Sequence, residues 1–218
     1  MKILSLCNVS YCYPKTNKEV LKNINADFEV GKMYAVMGKS GAGKTTLLSL
    51  VSGLDICKSG AVLFNGQDIK SINRDRYRSQ SIGVVFQSYN LLTNATAVEN
   101  TVLSMNISKV QTKDKTSAAY GLLESVGINL ETAKRRVLKL SGGEQQRVSI
   151  ARAISHNPDI IIADEPTGNL DEDTEKSVMD IFSKIAVDKC VIIVTHSKKV
   201  AAYADKVYRI SNNGLFSE

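Results

Sequence analysis

Gly38-Lys39-Ser40-Gly41-Ala42-Gly43-Lys44-Thr45 has the composition and glycine spacing of a complete phosphate-binding loop. A phosphate chain must be wrapped by backbone N–H groups, and residues without a Cβ let the backbone come that close. A helix beginning where the loop ends adds its positive terminus. Lys44 then reaches the β- and γ-phosphates, and the Thr45 hydroxyl ligates Mg2+. Thr46, next to them, reads as a helix-start residue of the same site rather than a second metal ligand. This chemistry calls for a nucleoside triphosphate.

Two further patterns belong with the loop. Ile160-Ile161-Ile162-Ala163-Asp164-Glu165 is an apolar strand ending in two carboxylates. Asp164, at the strand's carboxyl end, can hold the Mg2+ shell, and Glu165 can orient or deprotonate an attacking water. Leu140-Ser141-Gly142-Gly143-Glu144-Gln145-Gln146-Arg147 follows, with Ser141 ninety-seven residues after Lys44. Ser141 and Glu144 have the spacing of a capping box that opens a helix. A cap alone does not explain Gly142 and Gly143, because two glycines in a first turn weaken it by about 1 kcal/mol each relative to alanine. Bare amides there make sense if they meet a second triphosphate, held by another copy of the chain.

The elements that must carry these residues are legible in outline. Residues 1 to about 30 alternate like antiparallel strands, and Val62 to Ile69 forms a hairpin around Asn65-Gly66, a pair suited to a type I′ turn. Met33 to Met37 is a short apolar strand leading into the glycine loop, and Thr46 to Val51 is helical, stopping near Gly53. Residues 82–86 read as another buried strand. The pattern turns helical from about 88 to 138, with a capping box at Thr96-Ala97-Val98-Glu99 and a second helix from about Lys113 to Val126, ending at Gly127. Beyond it, the expected elements are a helix over Gly143–His156, strand Ile160–Ala163, a helix from Glu172 to about Val187, strand Cys190–Val194, and a short closing helix and strand. Apolar strands alternating with helices imply an α/β fold with a mostly parallel sheet covered on both faces, beside an antiparallel β region.

Composition narrows the class. The 218 residues are 43% hydrophobic and 23% charged, ordinary for a soluble domain, and no apolar run reaches membrane-spanning length. The apolar start is too short and interrupted for a targeting signal and reads as a first strand. Cys7, Cys12, Cys57 and Cys190 have neither metal-ligand nor redox-pair spacing, the pattern of reduced cytosolic thiols. The net charge of +6 is scattered, with small clusters at Arg74, Arg76, Arg78 and at Lys134, Arg135, Arg136. No aromatic-interleaved basic stripe marks a nucleic-acid surface, which leaves a solvated face or one lying near anionic lipid headgroups.

Taken in order and spacing, Gly38 to Thr45, Gln87, Leu140 to Arg147, Asp164-Glu165, Gly168-Asn169-Leu170-Asp171 and His196 resemble the ATP-binding-cassette (ABC) ATPases over essentially the whole chain. The segments from Phe86 to Leu92 and from Ala163 to Asp171 look most like the MacB/LolD/BceA group of bacterial transporter ATPases, which handle peptides, antibiotics or lipoproteins. The resemblance implies a single ABC ATPase domain over residues 1–218 with a helical subdomain inserted at approximately 88–138. It implies ATP and Mg2+ as cofactors, with residues Gly38 to Thr46 on the triphosphate, Thr45, Gln87 and Asp164 around the metal, and Glu165 as catalytic base. Gln87 would sense metal and γ-phosphate, and His196 would contact the γ-phosphate. Ser141, Gly142, Gly143 and Glu144 would complete a partner's site, with Asp171 at the dimer seam. Tyr13 would stack on adenine, with Tyr11 a competitor for that role. Two departures stand out: Glu144 replaces a frequent glutamine, and Ser197 follows His196 where aspartate is usual. His156 reads as a cation near a helix C-terminus.

These expectations describe a cytoplasmic ATPase, peripheral on the inner face of the cell membrane, that forms an ATP-dependent homodimer and works with a transmembrane permease. A soluble ABC ATPase of the iron–sulfur assembly type remains the alternative. A GTPase is disfavoured, since Asn17-Lys18 precedes the loop and lacks the aspartate such an element requires.

Overall fold

In the computed structural model, which describes residues 1–14 and 18–218, the alternating start becomes β1 (Lys2–Cys12) and β2 (Glu19–Glu29), paired antiparallel. Asn17 lies outside the described residues. The expected strand into the glycine loop is β3 (Lys32–Met37), and the loop opens into α1 (Lys44–Val51). β4 (Ser59–Phe64) pairs with β1 and turns into β5 (Gln67–Asp68). Asn65 and Gly66 make that turn with φ of 48° and 79°, the left-handed pair a type I′ turn requires.

Sequence periodicity missed α2 (Arg74–Ser81), which leads into β6 (Ile82–Val85). α2 is capped by Asn73, whose side chain accepts from Arg76 N, and it buries only Tyr77. With one buried side chain in eight residues it has no apolar stripe to read. Tyr77 holds it by donating to Val51 O at 2.8 Å and packing on Phe64.

α3 (Ala97–Ile107) starts at the expected Thr96/Glu99 capping box, α4 (Lys115–Ser125) at Asp114, and α5 (Leu130–Ala133) at Asn129. A 3-10 turn over Val137–Lys139 precedes α6 (Gly142–Ile154). β7 (Ile160–Asp164), α7 (Glu172–Ile185), β8 (Cys190–Thr195) and α8 (Lys198–Ala201) follow. The chain then closes with two strands rather than the single one expected: β9 (Lys206–Ser211) and β10 (Gly214–Ser217). Asn212 and Asn213, at φ of 47° and 63°, turn between them.

The strands form two sheets, one ordered β2-β1-β4-β5 and one ordered β10-β9-β3-β8-β7-β6. In the second, β9, β3, β8, β7 and β6 run parallel and β10 is an antiparallel edge. Period-two alternation buries both of its faces. Tyr34, Val36, Ile160, Ile162, Ile192 and Val194 pack toward the antiparallel sheet and α1. Met33, Val85, Ile161, Ala163, Val191 and Ile193 pack among residues of α3, α4, α6 and α7. Parallel pairing also gathers the carboxyl ends of β3, β6, β7 and β8 along one rim, where an open α/β sheet binds its ligands.

Candidate nucleotide site

At that rim opens a cleft of about 720 Å³ lined by Ser40, Gly41, Gly43, Lys44, Thr45, Thr46, Gln87, Asp164, Glu165 and His196, with Tyr13 at its mouth. The loop that forms its floor is a tight backbone turn, Ala42 N donating to Lys39 O at 3.1 Å. Gly43 has φ of 106°, and a Cβ there would meet Val20 and Leu21 side-chain carbons at 3.1 Å. No side chain caps α1 at Gly43, so the first amides of α1 are available to an anion. The Lys44 ammonium folds back along the loop, donating to Gly38 O at 2.8 Å and to Lys39 O at 3.3 Å. Thr45 is exposed, while Thr46 is buried and shares a 2.7 Å hydrogen bond with Tyr13 Oη.

The carboxylates follow from the end of β7. Asp164 is half-buried; burial pushes its carboxyl above the usual range, Glu165 adds to this, and Lys44 opposes it. A cation at this position would relieve that cost, so the donor set suits a hard divalent ion. Among the described residues no cluster of three or more His, Cys, Asp or Glu could hold a metal alone. A divalent ion here would be held by Asp164 together with oxygens of a bound triphosphate, as Mg2+ is in such sites.

Glu165 turns sharply out of the strand with φ of 44°, pinned by its N–H to Val194 O at 2.9 Å and by Gly168 N donating to its carbonyl at 3.1 Å. A left-handed non-glycine residue is a strained feature of the kind that gathers at functional sites. Its carboxylate is 15% exposed and accepts from the His196 backbone N–H at 3.3 Å, with His196 Nδ1 2.9 Å away. His196 itself is 73% exposed to the cleft side of β8. Ser197, the departure from aspartate, accepts from Val200 N and caps α8, which an aspartate would also do.

Gln87 leaves β6 into a segment in which Tyr89 and Asn90 are both left-handed, at φ of 60° and 48°. That segment is gripped by α6: Arg152 donates to the carbonyls of Tyr89 (2.9 Å) and Asn90, and Ser149 Oγ donates to Tyr89 O at 3.3 Å. On the other side Asn169 Nδ2 donates to Gln87 O at 3.4 Å. Of the two tyrosines, Tyr11 is buried at 4%, whereas Tyr13 is 48% exposed and lines the cleft.

Ser141, Gly142, Gly143, Glu144 and Asp171 do not line this cleft. Ser141 and Glu144 make the full capping box of α6, with Glu144 N donating to Ser141 Oγ at 3.2 Å and Ser141 N to Glu144 Oε2 at 2.7 Å. Asp171 caps α7, accepting from Thr174 N at 2.9 Å, which holds its carboxyl below the usual range. The two glycines part company. Gly142 is exposed, and a Cβ would meet the flexible tip of Tyr89 at 3.1 Å and Leu170 Cδ2 at an ordinary 3.9 Å; at Gly143 it would meet Thr174 Cγ2 at 2.6 Å. Gly143 thus has a packing reason within its own chain, which the sequence argument from bare amides did not contain.

His156 also differs from expectation. Burial pushes its imidazole below the usual range while its Nε2 lies 3.1 Å from Ile82 O, so it is a neutral ring seated against β6 and not a helix-end cation. Sequence reasoning missed Lys18, Glu19, Val20 and Asn213 in the cleft wall. Asn213 Nδ2 donates to Glu19 O at 2.9 Å and Asn213 O accepts from Lys22 N at 2.8 Å, a junction between segments 194 residues apart for which no local signal exists.

Comparison with known proteins agrees with this geometry. The family model described as ABC transporter matches residues 21–168. An ABC transporter ATP-binding protein of Bacillus subtilis, YclH, is 45% identical over 99% of this chain and 96% of its own. The lipoprotein-releasing system ATP-binding protein LolD of Francisella tularensis is 39% identical over 98% of this chain and 95% of its own. Among solved structures, the dimeric bacterial ABC transporter cassette MJ0796 superposes with a TM-score of 0.89 at 31% identity, covering 99% of this chain and 98% of that one. A second form of MJ0796, a post-hydrolysis dimer bound to ADP and Pi, has the same TM-score at 30% identity. The chain therefore belongs to the ABC transporter family, as an ATP-binding subunit that hydrolyses ATP with Mg2+ and stands close to the LolD-like group.

Proposed function

We propose that two copies of this chain close head to tail on two Mg·ATP, and that closure drives a transmembrane permease. The observation that carries this reading is the division of the motif residues. Lys44, Thr45, Gln87, Asp164, Glu165 and His196 share one cleft, while Ser141 and the unencumbered Gly142 face solvent away from it. A half-site displayed elsewhere on the surface fits a second copy's cleft.

In the closed pair Lys44 exchanges its carbonyl partners for β- and γ-phosphate oxygens. Thr45, Asp164 and Gln87 would hold the metal, which would neutralise charge on the transferring phosphoryl group. Glu165 orients the attacking water and takes its proton, while His196 holds the γ-phosphate side. Ser141, Gly142, Gly143 and Glu144 of one copy complete the partner's site, with Asp171 at the seam.

Residues 1–218 are read as one ATPase domain, with about 88–138 as the inserted helical subdomain. The permease docks beside Gln87, where Phe86, Leu92, Leu103 and Ile107 line a groove of about 360 Å³ that also includes Arg78 and Arg152. No helix of the described residues is long and apolar enough to cross a membrane. A cytoplasmic, peripheral location at the inner membrane face follows from that docking. The cargo class is peptide, antibiotic or lipoprotein, with the LolD relatives favouring the last.

The test is Glu165→Gln. Turnover should fall by on the order of 10²–10⁴-fold, and size-exclusion chromatography should show a dimer only with ATP. A variant that stays monomeric in excess MgATP removes the sandwich.

A further inference from the structure

Tyr13 is held from behind as well as from beside. Its hydroxyl shares the 2.7 Å bond with Thr46 Oγ1, in the first turn of α1. Its ring meets Tyr11 at 86°, with centroids 5.3 Å apart, the edge-to-face arrangement aromatic pairs favour. The buried Tyr11 hydroxyl in turn donates to Asp55 Oδ2, and that carboxylate together with burial pushes the phenol up to about 12, so it remains a donor. Asp55 is fixed too: its N–H donates to Ser49 O at 3.0 Å, and its Oδ1 accepts from Ile56 N at 2.8 Å. Asp55 lies just past the end of α1. The helix that carries Lys44 and Thr45 at its start therefore secures Tyr13 near both of its ends.

We propose that Tyr11 and Asp55 are positioning residues for base recognition, holding the Tyr13 ring at a set distance from the phosphate loop. The cleft then prefers a triphosphate bearing a planar base over the same phosphates without one. This rests on reading Tyr13 as the surface on which adenine stacks. An aromatic already fixed in its binding orientation loses less freedom on binding than a mobile one. Loss of the Tyr11–Asp55 bond would release the hydroxyl end of the Tyr11 ring and let its edge, and through it Tyr13, shift without touching Lys44 or Thr45.

The experiment compares calorimetric affinities of the full chain for MgATP and for Mg-tripolyphosphate, which lacks base and sugar. Tyr11→Phe and Asp55→Asn should each weaken ATP about three- to tenfold, the range of a typical net hydrogen bond, and leave tripolyphosphate unchanged. Tyr13→Ala should weaken ATP at least as much, again sparing tripolyphosphate. If Tyr13→Ala behaves so but Tyr11→Phe and Asp55→Asn bind ATP like the parent, the positioning role is wrong and the stacking role stands. If Tyr13→Ala leaves ATP affinity intact, the stacking role fails and the proposal with it. Equal losses for both ligands in the Tyr11 and Asp55 variants would mean general damage to the loop and also overturn it.

Discussion

Gly143→Ala separates the two reasons a glycine can stand at the start of α6. The new Cβ would lie 2.6 Å from Thr174 Cγ2, closer than carbon atoms approach without something moving. Thr174 has little room to yield, because its Oγ1 donates to Asp171 Oδ2 at 2.8 Å while its N–H donates to Oδ1 of the same residue. Relieving such overpacking costs about 1–3 kcal/mol. Alanine recovers up to about 1 kcal/mol of helix propensity, which leaves a net loss of roughly 0–2 kcal/mol. For a chain of this size that lowers the melting temperature by a few degrees. Gly142→Ala comes tight only against the Tyr89 hydroxyl, the end of a flexible side chain, at 3.1 Å and should hold or slightly gain stability. Thr174→Ser removes the obstructing methyl but keeps the hydroxyl on Asp171, so Gly143→Ala/Thr174→Ser should regain the lost stability. Thermal and urea unfolding of the parent, Gly143→Ala, Thr174→Ser and the double variant closes a double-mutant cycle. A cycle in which Gly143→Ala costs the same whether position 174 is threonine or serine would refute the packing argument.

Two other outcomes are expected. Asp164→Asn should raise the melting temperature of the nucleotide-free protein at neutral pH: the folded-state carboxyl is pushed up, so the ionised form disfavours folding above the carboxylate range. That advantage should vanish as pH falls below it, and melts across pH 3 to 8 that show a constant difference would contradict the assignment. Ser197→Ala should lose about 1 kcal/mol with the cap on α8, whereas Ser197→Asp should keep both stability and ATPase turnover; a marked loss in the aspartate variant would show that Ser197 does more than cap.

Much of the site was legible because its parts are local. The glycine loop, the strand into Asp164-Glu165 and the capping boxes at Thr96 and Ser141 each declare themselves within eight residues, and the parallel core declares itself by period. Long-range facts were not. α2 hides because polar residues surround the one buried Tyr77. β10 was missed although Asn212-Asn213 carries the left-handed propensity of a turn. The neutrality of His156 depends on its burial, and the Ile82 carbonyl that its ring meets, 74 residues away, opposes it; the tight fit of Gly143 depends on a threonine in the following helix, α7. Alternation could not separate Tyr11 from Tyr13, which are two residues apart and would share a face; their different exposure, 4% against 48%, arises because β1 ends at Cys12.

The grip of Arg152 and Ser149 on the Tyr89-Asn90 turn has a consequence for counting. α6 is a single rod with Ser141 at one end and Arg152 about 16 Å along it at 1.5 Å per residue. If Ser141 serves the partner's nucleotide while Arg152 holds the turn beside Gln87 of its own, each molecule's occupancy is mechanically wired to what it offers the other. By linkage such wiring is reciprocal. ATP-driven turnover should then rise with ATP more steeply than a hyperbola, and Arg152→Ala should flatten that curve toward two independent sites.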